Sequence, residues 1–410
     1  MNLVSKPIGL HVYHLMTAAT WIVIALALFH NFLALATKIE ADALRHSGWW
    51  PCDITSNTSV SHCTWLGISF DYSGSIVEIN IDDNYDYREF TVNLSNMNYS
   101  LLPNLTSLQV FGDYLTDTIP LQIYALPKLR HLNLSTNKLT DELPLCFQNL
   151  TMLEVIDIHD NQINSLIPPE LGNLKRLIYL DLSFNLLNGM IPMTLAKLKN
   201  LAQLSLQYNC FNGSIPSEIG NLTNLAYLSM RMNFFSGSIP LEIGNLRNLA
   251  YLSVAGNFFS GSILSEIGNL TNLAYLSMEG NSFRGSIPSE IGNLMNLAYL
   301  SMEGNFFSGS IPSEIGNLMN FAYLSMEGNF FSGSIPSEIG NLMNLAYLSM
   351  ARNSFSGSIL SEIGNLTNLA YLSMEDNSFN GSIPSEIGKL KSLIMLMLSS
   401  NSFTGPFHRK

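Results

Sequence analysis

The sequence predicts an α/β-type solenoid, a coil of 24-residue turns in which one short strand per turn joins a single parallel sheet. Three observations predict it. Asparagine recurs every 24 residues from Asn137 through Asn161, Asn185, Asn209, Asn233 and onward to Asn401, with Asp113 in the same phase and no insertion or deletion between. Phenylalanine follows two residues later in most turns, at Phe211, Phe235, Phe259, Phe283, Phe307, Phe331, Phe355, Phe379 and Phe403. The 24 residues at 295–318 are then repeated at 319–342 with one change, Leu297 to Phe321.

Each turn can be taken in chain order. In 221–233, apolar and polar residues alternate strictly across Tyr227-Leu228-Ser229-Met230-Arg231, the pattern of a short half-buried strand. Asn233 ends it, where a side-chain amide can bond backbone groups that the bend leaves unpaired. The Phe column, at a fixed phase about 4.8 Å apart from turn to turn, predicts a buried stack rather than a ligand box. The segment "SGSIPSEIGNL" turns with Gly and Pro and re-enters the core with Ile and Leu. No turn buries both faces alone, so stability is shared with neighbours.

Composition narrows the partners. Of 410 residues, 47% are hydrophobic and only 12% charged, which predicts folded structure along most of the chain. The net charge of −12 disfavours nucleic acid, anionic lipid and acidic polysaccharide, and favours a neutral or basic partner. Residues 1–36 read as a secretory signal peptide: Lys6, the apolar run Leu15–Phe29, then Ala34-Leu35-Ala36 as a cleavage site. The alternative is an uncleaved plasma-membrane anchor. Sequons at Asn57, Asn93, Asn98, Asn104, Asn149, Asn221, Asn269 and Asn365 support secretion and are candidate glycosylation sites; Asn133, Asn212 and Asn380 also match the pattern. The eight His and four Cys lack metal-ligand spacing, and the glycines belong to the repeat's turns, so neither metal nor cofactor is expected.

These residues resemble the leucine-rich repeat family, and specifically its plant extracellular class. The repeat matches that class's pattern nearly position by position over roughly 113–401, with Gly213-Ser214-Ile215-Pro216 and its copies as the discriminating element. Residues 43–81 resemble the cap that precedes such repeats, through Trp49-Trp50 and Cys63-x-Trp65-x-Gly67-Ile68. The resemblance implies a cap at 37–88, a leucine-rich repeat superhelix at 89–401 with its parallel sheet on the concave face, and an uncapped tail at 402–410. Where the family's cap has its second cysteine this chain has Phe70, which makes Cys52 the one candidate partner for Cys63 and leaves open whether the two are bridged; Cys146 and Cys210 are expected as free, buried or half-buried thiols. The last turn is expected to expose apolar edges.

Taken together, the chain looks like the ectodomain of a plant leucine-rich repeat receptor-like kinase, although no kinase motif is present. The resemblance implies a non-enzymatic, secreted module in the apoplast or cell wall that binds a peptide or protein in signalling or defence, with a receptor-kinase co-receptor as a further partner. Two alternatives stand beside it. One is a soluble inhibitor of a secreted cell-wall hydrolase, resembling polygalacturonase-inhibiting proteins; the other is a truncated, non-signalling receptor fragment.

In the family the exposed strand face binds ligand. Carried onto this chain, that face holds His131, Asn133, Asp157, His159, Tyr179, Asp181, Gln203 and Gln207, with Tyr208, Tyr227 and Arg231 close by, and selectivity is expected here because these groups vary. A second stripe, Tyr275, Glu279, Tyr299, Glu303, Tyr323 and Glu327, presents a tyrosine ladder beside a glutamate ladder. Its ring planes and carboxylates could hold a basic segment, but identical rungs cannot fix a partner's register, so a merely duplicated solvated face is the favoured reading. His159 with Asp157, Ser135 and Ser183 superficially offers a hydrolase triad; an open sheet supplies no oxyanion hole and no exclusion of water, so catalysis is not expected.

Overall fold

Alternation at the strand positions produces the first sheet. In a computed structural model, which describes residues 38–50, 65–81, 92–112 and 115–405, each turn contributes three residues, such as Tyr227–Ser229, to a 15-stranded sheet whose order follows the chain. Only the first pair, Ile68–Phe70 with Ile76–Ile81, is antiparallel. From there on the strands are parallel, and pairing is in register with the repeat: Tyr227 faces Tyr251, Leu228 faces Leu252 and Ser229 faces Ser253. The central apolar residue of each parallel trio from Leu132 to Leu372 points into the core and is buried, as at Leu228, Leu276 and Leu324, while Leu396 in the last strand is half-buried.

The return path is a 3-10 turn in every rung, for example Ser217–Asn221 after Pro216. Proline there has φ −67°, the value its ring imposes, so it starts the turn without backbone cost. Ile219 and Leu222 then re-enter the core. Between strand and 3-10 turn lies a feature not foreseen in the sequence: short segments from Asn188–Gly189 to Ser402–Phe403 form a second, 10-stranded sheet. The alternation that marks the first sheet is absent there, because Phe235 is buried while Phe234, Ser236 and Gly237 are exposed.

The Asn and Phe columns lie between the sheets. Asn233 Nδ2 donates to the carbonyls of Leu206, Met230 and Arg231 at 2.9, 3.2 and 3.2 Å, and its Oδ1 accepts from Phe211 N–H at 3.0 Å. The same set recurs from Asn137 to Asn401. The Phe rings stack with centroids 5.8 to 6.3 Å apart. Tyrosines on the first sheet are closer, 4.2 to 4.4 Å. The tighter spacing on the strand side accords with that face being the inside of the bend.

At the N-terminal end, residues 38–47 are helical and buried tryptophans close the core. Trp49 donates to Asn93 O at 2.9 Å and Trp50 to Leu66 O at 3.2 Å. Buried Glu40 accepts from Ser75 Oγ and from Ile76 N–H at 2.8 Å; burial raises its pKa, and those two bonds oppose the rise. At the other end Ile394 is 87% exposed and Met395 is also exposed, the apolar edge expected of the last turn. Residues 1–36, Cys52, Cys63 and Asn57 lie outside the described residues. Cys210 is a half-buried free thiol, as expected.

Candidate functional site

Strand register brings the sequence-predicted residues of the early turns onto one face. His131, Val155, Tyr179, Gln203 and Tyr227 form one column, and Asn133, Asp157, Asp181, Ser205 and Ser229 the next. His159 and Gln207, in the third column, are half-buried; His131 and Tyr208 are exposed.

The side chains of Asn133, Asp157 and Asp181 in the middle column each brace the residue two positions on. Asn133 Oδ1 accepts from Ser135 N–H at 2.9 Å and Ser135 Oγ at 2.7 Å. Asp181 Oδ1 accepts from Ser183 N–H at 2.9 Å and Ser183 Oγ at 2.6 Å, while Tyr179 Oη donates to Asp181 Oδ2 at 3.3 Å. Asp181 is consequently buried and internally satisfied. Asp157 instead faces His159, Nδ1 to Oδ1 at 2.7 Å. That hydrogen bond raises the His159 pKa above its usual value; partial burial opposes it, and the charges of Asp157, Asp181 and Asp160 reinforce it. Both serines of the superficial triad spend their hydroxyls on the side chains preceding them, and neither bonds His159.

Arg231 and the aromatics form a second group. The guanidinium lies over the Tyr208 ring at 5.9 Å, and Tyr208 stacks on Phe184 with centroids 4.4 Å apart. Arg231 Nε and Gln207 Oε1 are buried without a hydrogen-bond partner. Phe184, Tyr208 and Met232 occupy one repeat position with φ 53 to 55°, the left-handed region disfavoured for bulky residues. The corresponding residues of later turns are Gly256, Gly280, Gly304 and Gly328, at φ 62 to 64°, and then Arg352, Asp376 and Ser400, at φ 53 to 55°. Phe184 and Met232 are 46% and 43% exposed, so they hold a costly conformation without filling the core. Sequence reasoning missed both, although the contrast between Phe or Met here and glycine in the four turns from Gly256 to Gly328 was available as a signal.

The second stripe differs from expectation in one respect. Tyr275, Tyr299 and Tyr323 stack on each other at 4.2 to 4.3 Å, so ring faces are occupied by neighbouring rings and only edges and hydroxyls meet solvent. The planes proposed for apolar contact with a partner are therefore not on offer. Ser277, Ser301 and Ser325, which lie between these tyrosines and glutamates in sequence, are buried. Ser277 donates to Glu279, Ser325 to Glu303 at 3.5 Å and Ser349 to Glu327 at 3.2 Å. Arg352 lies 3.5 Å from Glu327. Burial, then the charges of Glu327 and Glu279, raise the Glu303 pKa. Burial also raises the phenol pKa of Tyr251, Tyr299 and Tyr347.

Among the described residues no group of His, Cys, Asp and Glu is gathered to hold a metal ion, and no helix is long and apolar enough to cross a membrane.

Fold and site together define a parallel-sheet repeat solenoid with an open, polar strand face. The chain belongs to the leucine-rich repeat family: the model of a leucine-rich repeat region matches residues 115–232 and 257–378, more than half the chain, and a single leucine-rich repeat model matches 368–390. A search of curated proteins found no match. Among solved structures the chain is similar to a plant peptide hormone receptor, RGFR1, in complex with RGF2, at 31% identity and TM-score 0.70, covering 83% of this chain and 57% of that one. It is similar to a TDR receptor at 31% identity and TM-score 0.66, covering 74% and 57%. A leucine-rich repeat protein of Leptospira interrogans matches at 34% identity and TM-score 0.63, covering 74% and 75%. The chain thus spans 57% of the length of each of the two receptor chains.

Proposed function

We propose that the chain is an extracellular recognition module that binds a peptide or protein segment in receptor signalling or defence, held on the strand face and adjoining edge of the early turns. One observation carries the reading. Phe184, Tyr208 and Met232 keep three successive large exposed side chains at a repeat position that is left-handed from Thr136 to Ser400 and glycine only at Gly256, Gly280, Gly304 and Gly328, beside Arg231 and the His159–Asp157 pair. The backbone angle is common to the repeat, so it is the run of large exposed side chains beside a cation that marks a recognition surface. The similarity to a receptor structure containing a bound RGF2 supports the same reading.

The uniform turns suit this role less. Same-facing residues of an extended peptide recur about every 6.8 Å, whereas strands recur about every 4.8 Å, so a peptide crossing identical rungs falls out of step with them. Variation in the early turns removes that degeneracy.

The test is capture from plant extracellular fluid on the immobilised full chain, followed by affinity measurement with the synthetic form of any captured peptide. Asp157→Asn, His159→Ala and Tyr208→Ala together should weaken binding at least tenfold with an unchanged circular dichroism spectrum. Asp181 is left intact because Ser183 depends on it. Unchanged affinity of the triple variant would remove the assignment.

A further inference from the structure

The tyrosine column runs beyond the second stripe. Every turn from Tyr227 to Tyr371 contributes one tyrosine, seven in all, and each pairs in register with the next. Their rings form one uninterrupted stack, with centroids 4.2 to 4.4 Å apart and planes within 4 to 12° of parallel. Gln203 precedes the column and Met395 follows it. The buried phenylalanine stack has the same period but keeps its centroids 5.8 to 6.3 Å apart. Of the two stacks, only the one that carries hydroxyls is both tightly spaced and half-buried, within reach of solvent. Near-parallel rings on in-register strands put equivalent ring carbons side by side, those ortho to the hydroxyl included. Among the described residues no other tyrosine stacks on a tyrosine: Tyr72 and Tyr124 are exposed, Tyr99 is buried and Tyr208 stacks on Phe184.

We propose that this column is a site of oxidative phenol coupling, at which hydrogen peroxide and a haem peroxidase join tyrosines of adjacent turns into dityrosine. Each of two phenols gives up one electron and its hydroxyl proton. The two phenoxyl radicals form a carbon–carbon bond between ring carbons ortho to the oxygens, and the hydrogen on each of those carbons moves to its oxygen, which restores two phenols. Peroxide takes up the two electrons and two protons, its oxygen–oxygen bond breaks, and it leaves as two waters. Rings this close pass an electron from one to the next, so a radical formed anywhere in the column migrates until two are neighbours. Because the fold holds the partners side by side, coupling within one molecule outruns coupling between molecules. A bond between turns closes a loop of one 24-residue repeat and restricts the unfolded chain, as a disulfide of similar span does. The proposal does not depend on the binding reading, since it rests on ring geometry.

The experiment treats the full chain in dilute solution with a haem peroxidase and hydrogen peroxide, isolates the monomer by size exclusion, and measures dityrosine by fluorescence and by mass spectrometry after acid hydrolysis. Two variants each keep four of the seven column tyrosines. Tyr251→Phe, Tyr299→Phe and Tyr347→Phe together leave no two of them adjacent. Tyr227→Phe, Tyr251→Phe and Tyr275→Phe together leave Tyr299 to Tyr371 as an unbroken run. Phenylalanine keeps the ring, so both variants should retain the parent's circular dichroism spectrum. The parent and the unbroken-run variant should form dityrosine in the monomer, the alternating variant about tenfold less. Peptide mapping of the parent should place the bond between two column tyrosines, and the yield per chain should not change on dilution. No dityrosine in the parent monomer, equal yields from the two variants, or a yield that falls with dilution overturns the proposal.

Discussion

The side-chain amide of Asn233 donates to the carbonyl of Leu206 in the preceding turn at 2.9 Å. The same side chain, through its Oδ1, accepts from the N–H of Phe211 at 3.0 Å. One buried residue thereby satisfies backbone groups in two successive turns, and its repetition along the chain locks each turn to the one before.

Asn233→Ala should cost about 3 kcal/mol, because it leaves several buried backbone groups without partners at roughly 1 kcal/mol or more each. Equilibrium urea denaturation measures it, and hydrogen exchange should show the opening centred on residues 206–233. A loss below about 1 kcal/mol would mean that water replaces the amide there.

Met232→Gly should leave stability within about 1 kcal/mol of the parent, since relief of the left-handed strain offsets the added chain entropy. Phe184→Gly should behave alike. Both should weaken ligand binding if the early edge is the recognition surface. A variant that loses several kcal/mol in thermal denaturation would show that the side chain is structural.

The His159–Asp157 pair sets a pH dependence. His159 has a raised folded pKa, so its contribution is complete below the unfolded value of about 6.5 and is lost as pH climbs through the higher folded value. With the His159 side chain 36% exposed, solvent screening keeps the effect below about 1 kcal/mol. The stability gap between the parent and Asp157→Asn should narrow between pH 6 and pH 8.5. A gap that widens over this range would contradict the pairing.

Glu303 acts in the opposite sense at neutral pH. Its raised pKa means that stability present while it is protonated is lost as pH rises through the folded value, so ionised Glu303 is a burden between Glu279 and Glu327. Glu303→Gln should stabilise the chain slightly at pH 7, by less than about 1 kcal/mol given partial exposure, and have no effect near pH 3.5. The repulsive part should shrink in 0.5 M salt, where screening length falls to a few ångströms. Destabilisation at pH 7 would show that the Ser325 bond outweighs both burial and repulsion.

Much of the architecture was legible because a 24-residue period assigns every residue the same neighbour, its own copy one turn away. From that followed the strand at Tyr227–Ser229, the buried Asn column and the Phe stack, whereas the candidate face of the early turns came from the family resemblance. The second sheet was not legible: Phe234–Gly237 has no alternation to announce it, and its pairing runs Ser236 to Phe258, out of step with the repeat. Phe184 and Met232 were hidden for another reason, since their significance lies in side-chain exposure.

What the sequence by itself determined is which residues repeat and therefore which side chains meet: Tyr275 with Tyr299, Asn233 with the turn before it, Leu228 with Leu252. Only the tertiary structure decided how they meet. The inner face of the coil brings Tyr275 and Tyr299 rings within 4.2 Å, so they stack on each other and turn only edges and hydroxyls outward, while Ser277 and Ser301 are buried. A period specifies that neighbours are identical, but the rotamers and the bend of the coil decide whether an aromatic face is offered to a partner or spent on the next turn.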